Sequence, residues 1–362
     1  MHYLIFFLLF LTSFVLALSS IPLFIKTARK WKLMDVPAAR KVHRIPKPLL
    51  GGIAIFLSFY LTWFLGILLL PLVQKNLPFL SSYLPPVSRE IGRILPLFFS
   101  GLLMLLVGLA DDFKPLKPYQ KLAGQVLAAF LLALSGTRIT LFMPHPFWSY
   151  LITILWVVGV TNSFNLLDNM DGLAGGVALI ASLIFLYIAL LTSQIFTAAV
   201  LATFCGVLAG FLIYNFPPSK IFLGDAGSLW VGFTIASLTI LTTFYREGLP
   251  TFLPVIMPLL ILGVPFFDTI SVIIIRRKRR EPLFKADRNH FSHRLLSLGM
   301  TERQAILFIY LITFGVGINA TLLTQVNLAG ALVILLQSVV IFNIIAVLEF
   351  LGRRRNKDDY RP

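Results

Sequence analysis

Five aspartates stand in three short motifs, each at the edge of a long apolar stretch: Asp111 and Asp112, then Asp168 and Asp171, then Asp225. The chain has only 15 acidic residues, so a third of them lie in these places. Ionised groups at a membrane boundary are costly and usually serve function. Their type and grouping suit a metal ion and a phosphate-bearing substrate, converging on one site.

Gly108-Leu109-Ala110-Asp111-Asp112 closes an apolar stretch. Two adjacent carboxylates at a helix C-terminus oppose the helix dipole and repel each other, so they call for a nearby cation. A metal ion would supply it, as would Lys114, Lys117 and Lys121. The plainer alternative is a solvated loop in which the acids pair with those lysines. In the second motif Asn162, Asn165, Asp168 and Asp171 recur every third residue. A 3₁₀ turn would align them, and an α-helix leaves them on one side with a drift of about 60° per step. Such a side suits a hydrated metal together with sugar or phosphate oxygens. The alternative is a polar helix cap, but one cap needs one such residue and not four.

Phe222-Leu223-Gly224-Asp225-Ala226-Gly227-Ser228 opens another apolar stretch. Its glycines allow close backbone approach, and a following helix N-terminus favours anions, so Asp225 is a candidate cation ligand beside phosphate-binding N–H groups. Simple capping by Asp225 or Ser228 is the competing reading. The basic segment Arg276–Arg303 contains Asp287-Arg288-Asn289-His290-Phe291-Ser292-His293-Arg294. His290 and His293 lack the partners of a tetrahedral zinc site, and hydrogen bonding to a diphosphate with Arg288 and Arg294 fits better. A headgroup-facing amphipathic segment is the alternative, and Arg276–Arg280 reads as an orientation anchor. Asp268 lies inside an apolar stretch, so it must face the protein interior or a wet cavity, either orienting site residues or pairing with a cation.

The elements that must position these groups are membrane helices. The 362 residues are 58% hydrophobic with a mean hydropathy of +0.88, and only 13% are charged. That is the composition of a polytopic membrane protein. The net charge of +16 comes from Lys and Arg clustered beside apolar stretches, which argues for orientation signals and anionic headgroups and against nucleic acid. The single Cys205 excludes an intrachain disulfide. The first apolar stretch lacks a basic n-region and has the length of a span, so it is read as a transmembrane helix and not a signal peptide.

Eleven stretches have spanning length: 3–25, 50–73, 94–110, 120–136, 149–164, 173–192, 195–214, 228–244, 250–275, 304–323 and 328–351. The expected fold is therefore all-α, a single polytopic transmembrane domain over 1–362. It carries a basic loop at 276–303 and a basic tail at 352–362. Sorted by alternate loops, 26 of the 31 Lys and Arg fall on one side and 5 on the other. The positive-inside rule then puts the C-terminus in the cytoplasm and the N-terminus outside. All three acidic motifs fall on the cytoplasmic side, where a soluble substrate and an inner-leaflet lipid headgroup can meet. A transporter or flippase would place acids near the midplane in repeated halves, and no repeat is visible.

Pro37-Ala-Ala-Arg40-Lys41-Val-His43, Gly-Leu-Ala-Asp-Asp, the Asn-rich motif with Asp168 and Asp171, Gly-Asp-Ala-Gly-Ser and the His/Arg loop follow one another in order. In this series, which covers nearly the whole chain, the sequence resembles the polyprenyl-phosphate N-acetylhexosamine-1-phosphate transferases, the glycosyltransferase-4 type membrane family. Within it, the chain looks like the branch that uses UDP-N-acetylglucosamine and undecaprenyl phosphate rather than the phospho-N-acetylmuramoyl-pentapeptide transferases. It departs from the family pattern at Ser292, where His is frequent, at Leu49, where Arg is common, and at Asn169, where Gly is common.

The resemblance implies transfer of N-acetylglucosamine 1-phosphate to the lipid phosphate with release of UMP. It also implies a Mg²⁺ cofactor, with Mn²⁺ as a substitute, held by Asp225 with Asp168 or Asp171. Catalytic roles fall to Asp111, Asp112, Asp168, Asp171 and Lys121, and substrate contacts to Asn162, Asn165, His290, His293, Arg294, Arg288 and His43. The implied setting is a bacterial inner membrane with the site on its cytoplasmic face, surrounded by membrane lipids, in a chain that can form a homodimer.

Overall fold

The computed structural model describes residues 2–35, 46–76, 87–140, 145–245, 248–282 and 289–358. His43 and Arg288 lie outside the described residues. Among the described residues the architecture is all helical apart from one two-residue antiparallel pair, in which Met34 faces Pro48 and Asp35 faces Lys47. Among the described residues nine helices are long and apolar enough to cross a membrane, and a tenth span results if one bent pair is joined. All eleven expected stretches are helical. The difference in count lies in Pro118–Leu134, whose 17 residues sit at the short limit of a spanning helix, and in the expected span 250–275, which is broken.

The chain divides into two compact units, Met1–Thr242 and Thr243–Pro362. The first contains the helices His2–Lys30, Gly51–Asn76, Val87–Phe113, Pro118–Leu134, Pro146–Leu167, Leu173–Leu191, Ile195–Asn215 and Gly224–Leu241. Gly224–Leu241 runs through its centre, packed by Gly51–Asn76, Val87–Phe113, Pro146–Leu167 and Leu173–Leu191. Lipid-buried helices gain no hydrophobic drive from meeting each other, so close packing of small residues does the work. A Cβ on Gly108 would run into the backbone of Asp225 and Ala226, and one on Gly52 into the backbone of Gly227. The buried Trp230 meets Phe56, Phe59 and Phe204 edge-on, each at 5.6 Å, which fixes the rotation of the central helix.

The second unit contains Met257–Ile261, Gly263–Arg279, Phe291–Ser297, Glu302–Ala320 and Leu328–Asp358, preceded by a 3₁₀ turn at Leu253–Ile256. The segments Leu253–Ile261 and Gly263–Arg279 are bent by 68°. Pro265 supplies the cause: it has no N–H to offer the Ile261 carbonyl four residues back, and its ring crowds that carbonyl. The tail expected from residue 352 begins as a continuation of the last helix, which runs to Asp358.

Candidate active site

Four helix ends in the first unit converge on Lys121. Val87–Phe113 ends with Asp111 and Asp112, Pro118–Leu134 begins with Lys121 in its first turn, Pro146–Leu167 ends with Asn165 and its C-cap Asp168, and Gly224–Leu241 begins with Asp225 and Ser228. Lys121 Nζ donates to Asp111 Oδ2 at 2.8 Å and to Asn165 Oδ1 at 3.0 Å, and lies 3.2 Å from Asp225 Oδ1. Three motifs spread over more than a hundred residues thus meet on one ammonium group, at one end of the bundle.

Asp111 also builds the turn that brings Lys121 in, because its Oδ1 accepts from Leu116 N at 2.7 Å. Pro118 then starts the next helix, its missing N–H being no loss in a first turn. Asp112 does something different. Its Oδ1 accepts from Asp225 N at 2.8 Å and its Oδ2 from Ala226 N at 3.0 Å. It is therefore a cap supplied from another helix, its charge set against the positive end of the Gly224–Leu241 dipole. Gly224 has φ +72° and a Cβ there would lie 2.8 Å from Asp112 Oδ2, so the turn needs glycine on both counts. The adjacent carboxylates that repel each other on paper are separated by function, one holding a lysine and the other a helix.

Asn165 ties the cluster together, its Nδ2 donating to Asp225 Oδ1 and to Ser228 Oγ (2.8 Å). Asn162, one turn earlier, joins no part of it. Its Nδ2 donates to Gln125 Oε1 at 2.6 Å and to Val158 O at 2.8 Å, and its Oδ1 accepts from Gln125 Nε2 at 3.3 Å. Asn162, expected as a substrate contact, lies instead in an amide pair joining two helices, because the every-third spacing drifts around an α-helix. The helix also stops at Leu167, and Gly172 at φ +74° turns the chain, so Asp168 and Asp171 leave the helical side altogether.

Asp171 Oδ2 accepts from Lys47 Nζ at 2.8 Å and from Ser219 N at 3.0 Å. Lys47 Nζ also donates to Ser219 Oγ at 2.8 Å and sits 4.9 Å above the Phe222 ring. Asn215 completes this corner, accepting from Gly172 N and donating to Ile221 O, both at 2.9 Å. The sequence reading missed Lys47 and Asn215. Lys47 was absorbed into the positive-inside count, yet its place between Pro46 and Pro48 marks an extended, fixed backbone. That backbone is held by the pairing of Asp35 with Lys47 and by Phe222 N donating to Pro48 O at 2.8 Å.

Asp168 stands apart, since its carboxylate makes no hydrogen bond to the described residues. Burial, and then the carboxylates of Asp225, Asp112 and Asp171, push its carboxyl well above the usual carboxylate range. Excess negative charge with an oxygen-only donor set fits a hard divalent cation. Among the described residues no three His, Cys, Asp or Glu side chains form a ready-made cage.

The His/Arg motif belongs to the second unit. Asp268, 1% exposed, faces His290 Nδ1 through Oδ2 at 2.8 Å and accepts from Phe291 N through Oδ1 at 2.6 Å. Arg294 donates from Nε to Glu349 Oε2 at 2.8 Å and from Nη1 to Asn289 O at 2.5 Å. It is 2% exposed and lies between the Phe267 and Phe291 rings. Arg294, expected as a substrate contact, thus forms a buried internal ion pair through Nε, while its Nη2 has no hydrogen-bond partner among the described residues. His293 is half-buried on the Phe291–Ser297 helix.

Residues 94–243 match the family model described as glycosyl transferase family 4. The chain is 31% identical over 346 residues to a probable undecaprenyl-phosphate N-acetylglucosaminyl 1-phosphate transferase of Bacillus subtilis, covering 93% of this chain and 90% of that protein. The chain belongs to glycosyl transferase family 4. It is therefore an enzyme, a multi-pass membrane transferase. A decaprenyl-phosphate N-acetylglucosaminephosphotransferase of Mycobacterium tuberculosis is 29% identical, over 90% of this chain and 84% of its own. A phospho-N-acetylmuramoyl-pentapeptide-transferase of Lactobacillus gasseri is 31% identical over 290 residues, 73% of this chain and 82% of its own. The matched region of this family 4 transferase, 94–243, contains Lys121 and its three partners Asp111, Asn165 and Asp225, together with Asp168.

Proposed function

We propose that this family 4 transferase moves N-acetylglucosamine 1-phosphate from UDP-N-acetylglucosamine to undecaprenyl phosphate and releases UMP. The reaction is placed at the cytoplasmic face of a bacterial inner membrane, with Mg²⁺ as cofactor. The observation that carries the reading is Lys121 held between Asp111, Asn165 and Asp225 at one end of the bundle, in a chain similar over its length to the Bacillus subtilis protein. The 26-to-5 charge split supports the cytoplasmic placement.

In this reaction an oxygen of the lipid phosphate attacks the sugar-bearing phosphorus, and the bond from that phosphorus to the bridging oxygen breaks, so UMP leaves with the oxygen. Two anions must meet, which makes cationic stabilisation the main catalytic demand. Lys121 supplies a fixed positive charge, poised by three acceptors. A phosphate monoester has its second pKa near about 6, so the nucleophile is already mostly dianionic at neutral pH and needs no strong base. Both oxygens of Asp111 are engaged by Lys121 and Leu116 N, which favours a positioning role for Asp111 over proton abstraction. Asp225 and Asp168 would hold Mg²⁺, with Asp171 committed through Oδ2 to Lys47. The ion supplies Lewis-acid stabilisation of the pyrophosphate oxygens. Membrane lipids surround the spans.

The test is UMP release by purified protein in detergent, given UDP-N-acetylglucosamine, undecaprenyl phosphate and Mg²⁺. Turnover dependent on all three is expected; none would overturn the reading. The similarity to the Lactobacillus gasseri protein motivates a second reading, in which the muramoyl-pentapeptide nucleotide is the donor. Substituting that nucleotide in the same assay separates the two.

A further inference from the structure

We infer that the end of the first helix, from Lys26 to Lys32, is a binding surface for anionic phospholipids of the adjacent leaflet. The helix His2–Lys30 buries Ser13, Ala17, Ile21 and Ala28, packing chiefly on Ile195–Asn215, and Tyr214 Oη donating to Leu18 O at 3.1 Å fixes its rotation. The opposite side is exposed and apolar at Leu4, Leu8, Leu11, Val15 and Leu23. Leu4 to Leu23 rises about 29 Å along a helix, which matches a hydrocarbon core of about 30 Å. The same side then turns cationic. Lys26 and Lys30 continue the stripe at three- and four-residue steps, and Arg29 stands beside them, all exposed. Trp31 follows, 65% exposed, where an indole ring joins hydrocarbon to headgroups.

These cations do more than complement a helix end. The dipole acts within the last turn, yet Lys26 lies before that turn and Lys32 beyond it. Lys32 has φ +57° and closes the helix as the left-handed residue of a Schellman turn, with Leu33 N donating to Ala28 O at 2.9 Å and Lys32 N to Arg29 O at 3.3 Å. Glycine takes that conformation without strain, so a lysine there keeps a charge at a backbone cost. Among the described residues none of the four cations pairs with a carboxylate. Unpaired cations, an exposed indole and an apolar stripe of bilayer length match a lipid that offers a phosphate and acyl chains together. Beyond Lys32 the chain runs beside Pro48, with Leu49 N donating to Leu33 O at 3.2 Å, so the surface adjoins the strand that carries Lys47.

The surface is tested without any assumption about the nucleotide sugar. Purified full-length protein is reconstituted in phosphatidylcholine vesicles that contain either phosphatidylglycerol or phosphatidylcholine brominated near the glycerol end of the acyl chains. Bromine quenches an indole it touches, and the difference between wild type and Trp31→Phe isolates the share of Trp31. Beside Trp31, phosphatidylglycerol is expected to be preferred about fivefold in about 0.1 M salt and hardly at all in about 0.5 M salt. Joint replacement of Lys26, Arg29, Lys30 and Lys32 by Gln should abolish the preference. Lys32→Gly keeps the test open if that variant folds poorly. It relieves the left-handed strain, so unfolding in detergent should come at the same or a higher temperature while the preference falls about twofold. Equal quenching by the two lipids in wild type, or a preference that survives either replacement, would mean that the cations only orient the span, and the inference would be overturned.

Discussion

Around Lys121, one ammonium group serves three acceptors, the Asp225 side chain stays 35% exposed, and the Asp168 carboxylate has no donor among the described residues. Around Asp268 and Arg294, each carboxylate faces a cationic or imidazole partner, and exposure falls to a few per cent. Both clusters are built on carboxylates, yet their charge balance differs. The first is left negative and partly exposed, a state that a cation would relieve. The second is paired and dry, which makes it suited to holding backbone in place. An acid-rich cluster at a membrane boundary is therefore read by the balance between its carboxylates and the cations that face them.

The largest effect should come from Lys121→Ala. Removing the one cation from the unbalanced cluster leaves Asp111 and Asp225 facing each other, and turnover should fall by ~10³-fold or more with the protein still folded. Initial rates of UMP release against protein quantified by size-exclusion chromatography check this. Retention of activity within tenfold would erase the contrast between the clusters. Arg294→Met should act the other way round. It strands Glu349 in the interior and should cost about 3 kcal/mol of stability, seen as a lowered unfolding temperature. Arg294→Met combined with Glu349→Leu should regain most of that loss, since an apolar pair of similar volume avoids burying charge. A ligand-binding arginine would show no such recovery.

Asp112 tests the comparison within the first cluster. Its two oxygens hold the amides of Asp225 and Ala226, so it belongs with the paired groups although it adjoins Asp111. Asp112→Asn turns one acceptor into a donor facing an N–H. Turnover should drop by ~10²-fold as Asp225 shifts, with KM for the nucleotide sugar little changed and the Mg²⁺ concentration for half-maximal rate raised. Steady-state kinetics across a Mg²⁺ series read both. An unchanged Mg²⁺ requirement would mean that Asp112 does not set the place of Asp225.

Much of this was legible in the sequence. Eleven apolar stretches became helices because length and hydropathy are local properties, and the convergence of Asp111, Lys121 and Asp225 followed from placing their loops on one side by charge. The division of labour was not legible. Whether Asp112 meets a metal or a helix end depends on how closely Gly108 and Gly52 let backbones approach, which is a tertiary fact. Lys47 was hidden in a basic loop whose charge already had an explanation. The break before Gly263 was in principle readable from Pro265, but the apolar run continues across it and masks the proline's effect.

Asn162 and Asn165 give the finest version of the comparison, because they sit one turn apart on the same helix. Asn165 bridges Lys121, Asp225 and Ser228, whereas Asn162 is closed on Gln125, which is 1% exposed. Asn162→Ala removes both hydrogen bonds that join Gln125 to Asn162 in a dry interface and should cost about 1–2 kcal/mol of stability, with turnover changed only a few-fold. Joint replacement, Asn162→Leu with Gln125→Leu, removes the stranded amide and should restore the unfolding temperature. Thermal unfolding of the single and double variants, with UMP release measured on each, decides it. A turnover loss at Asn162 that the paired replacement fails to recover would mean that its amide reaches substrate, and the boundary between working cluster and scaffold would move one helical turn outward along Pro146–Leu167.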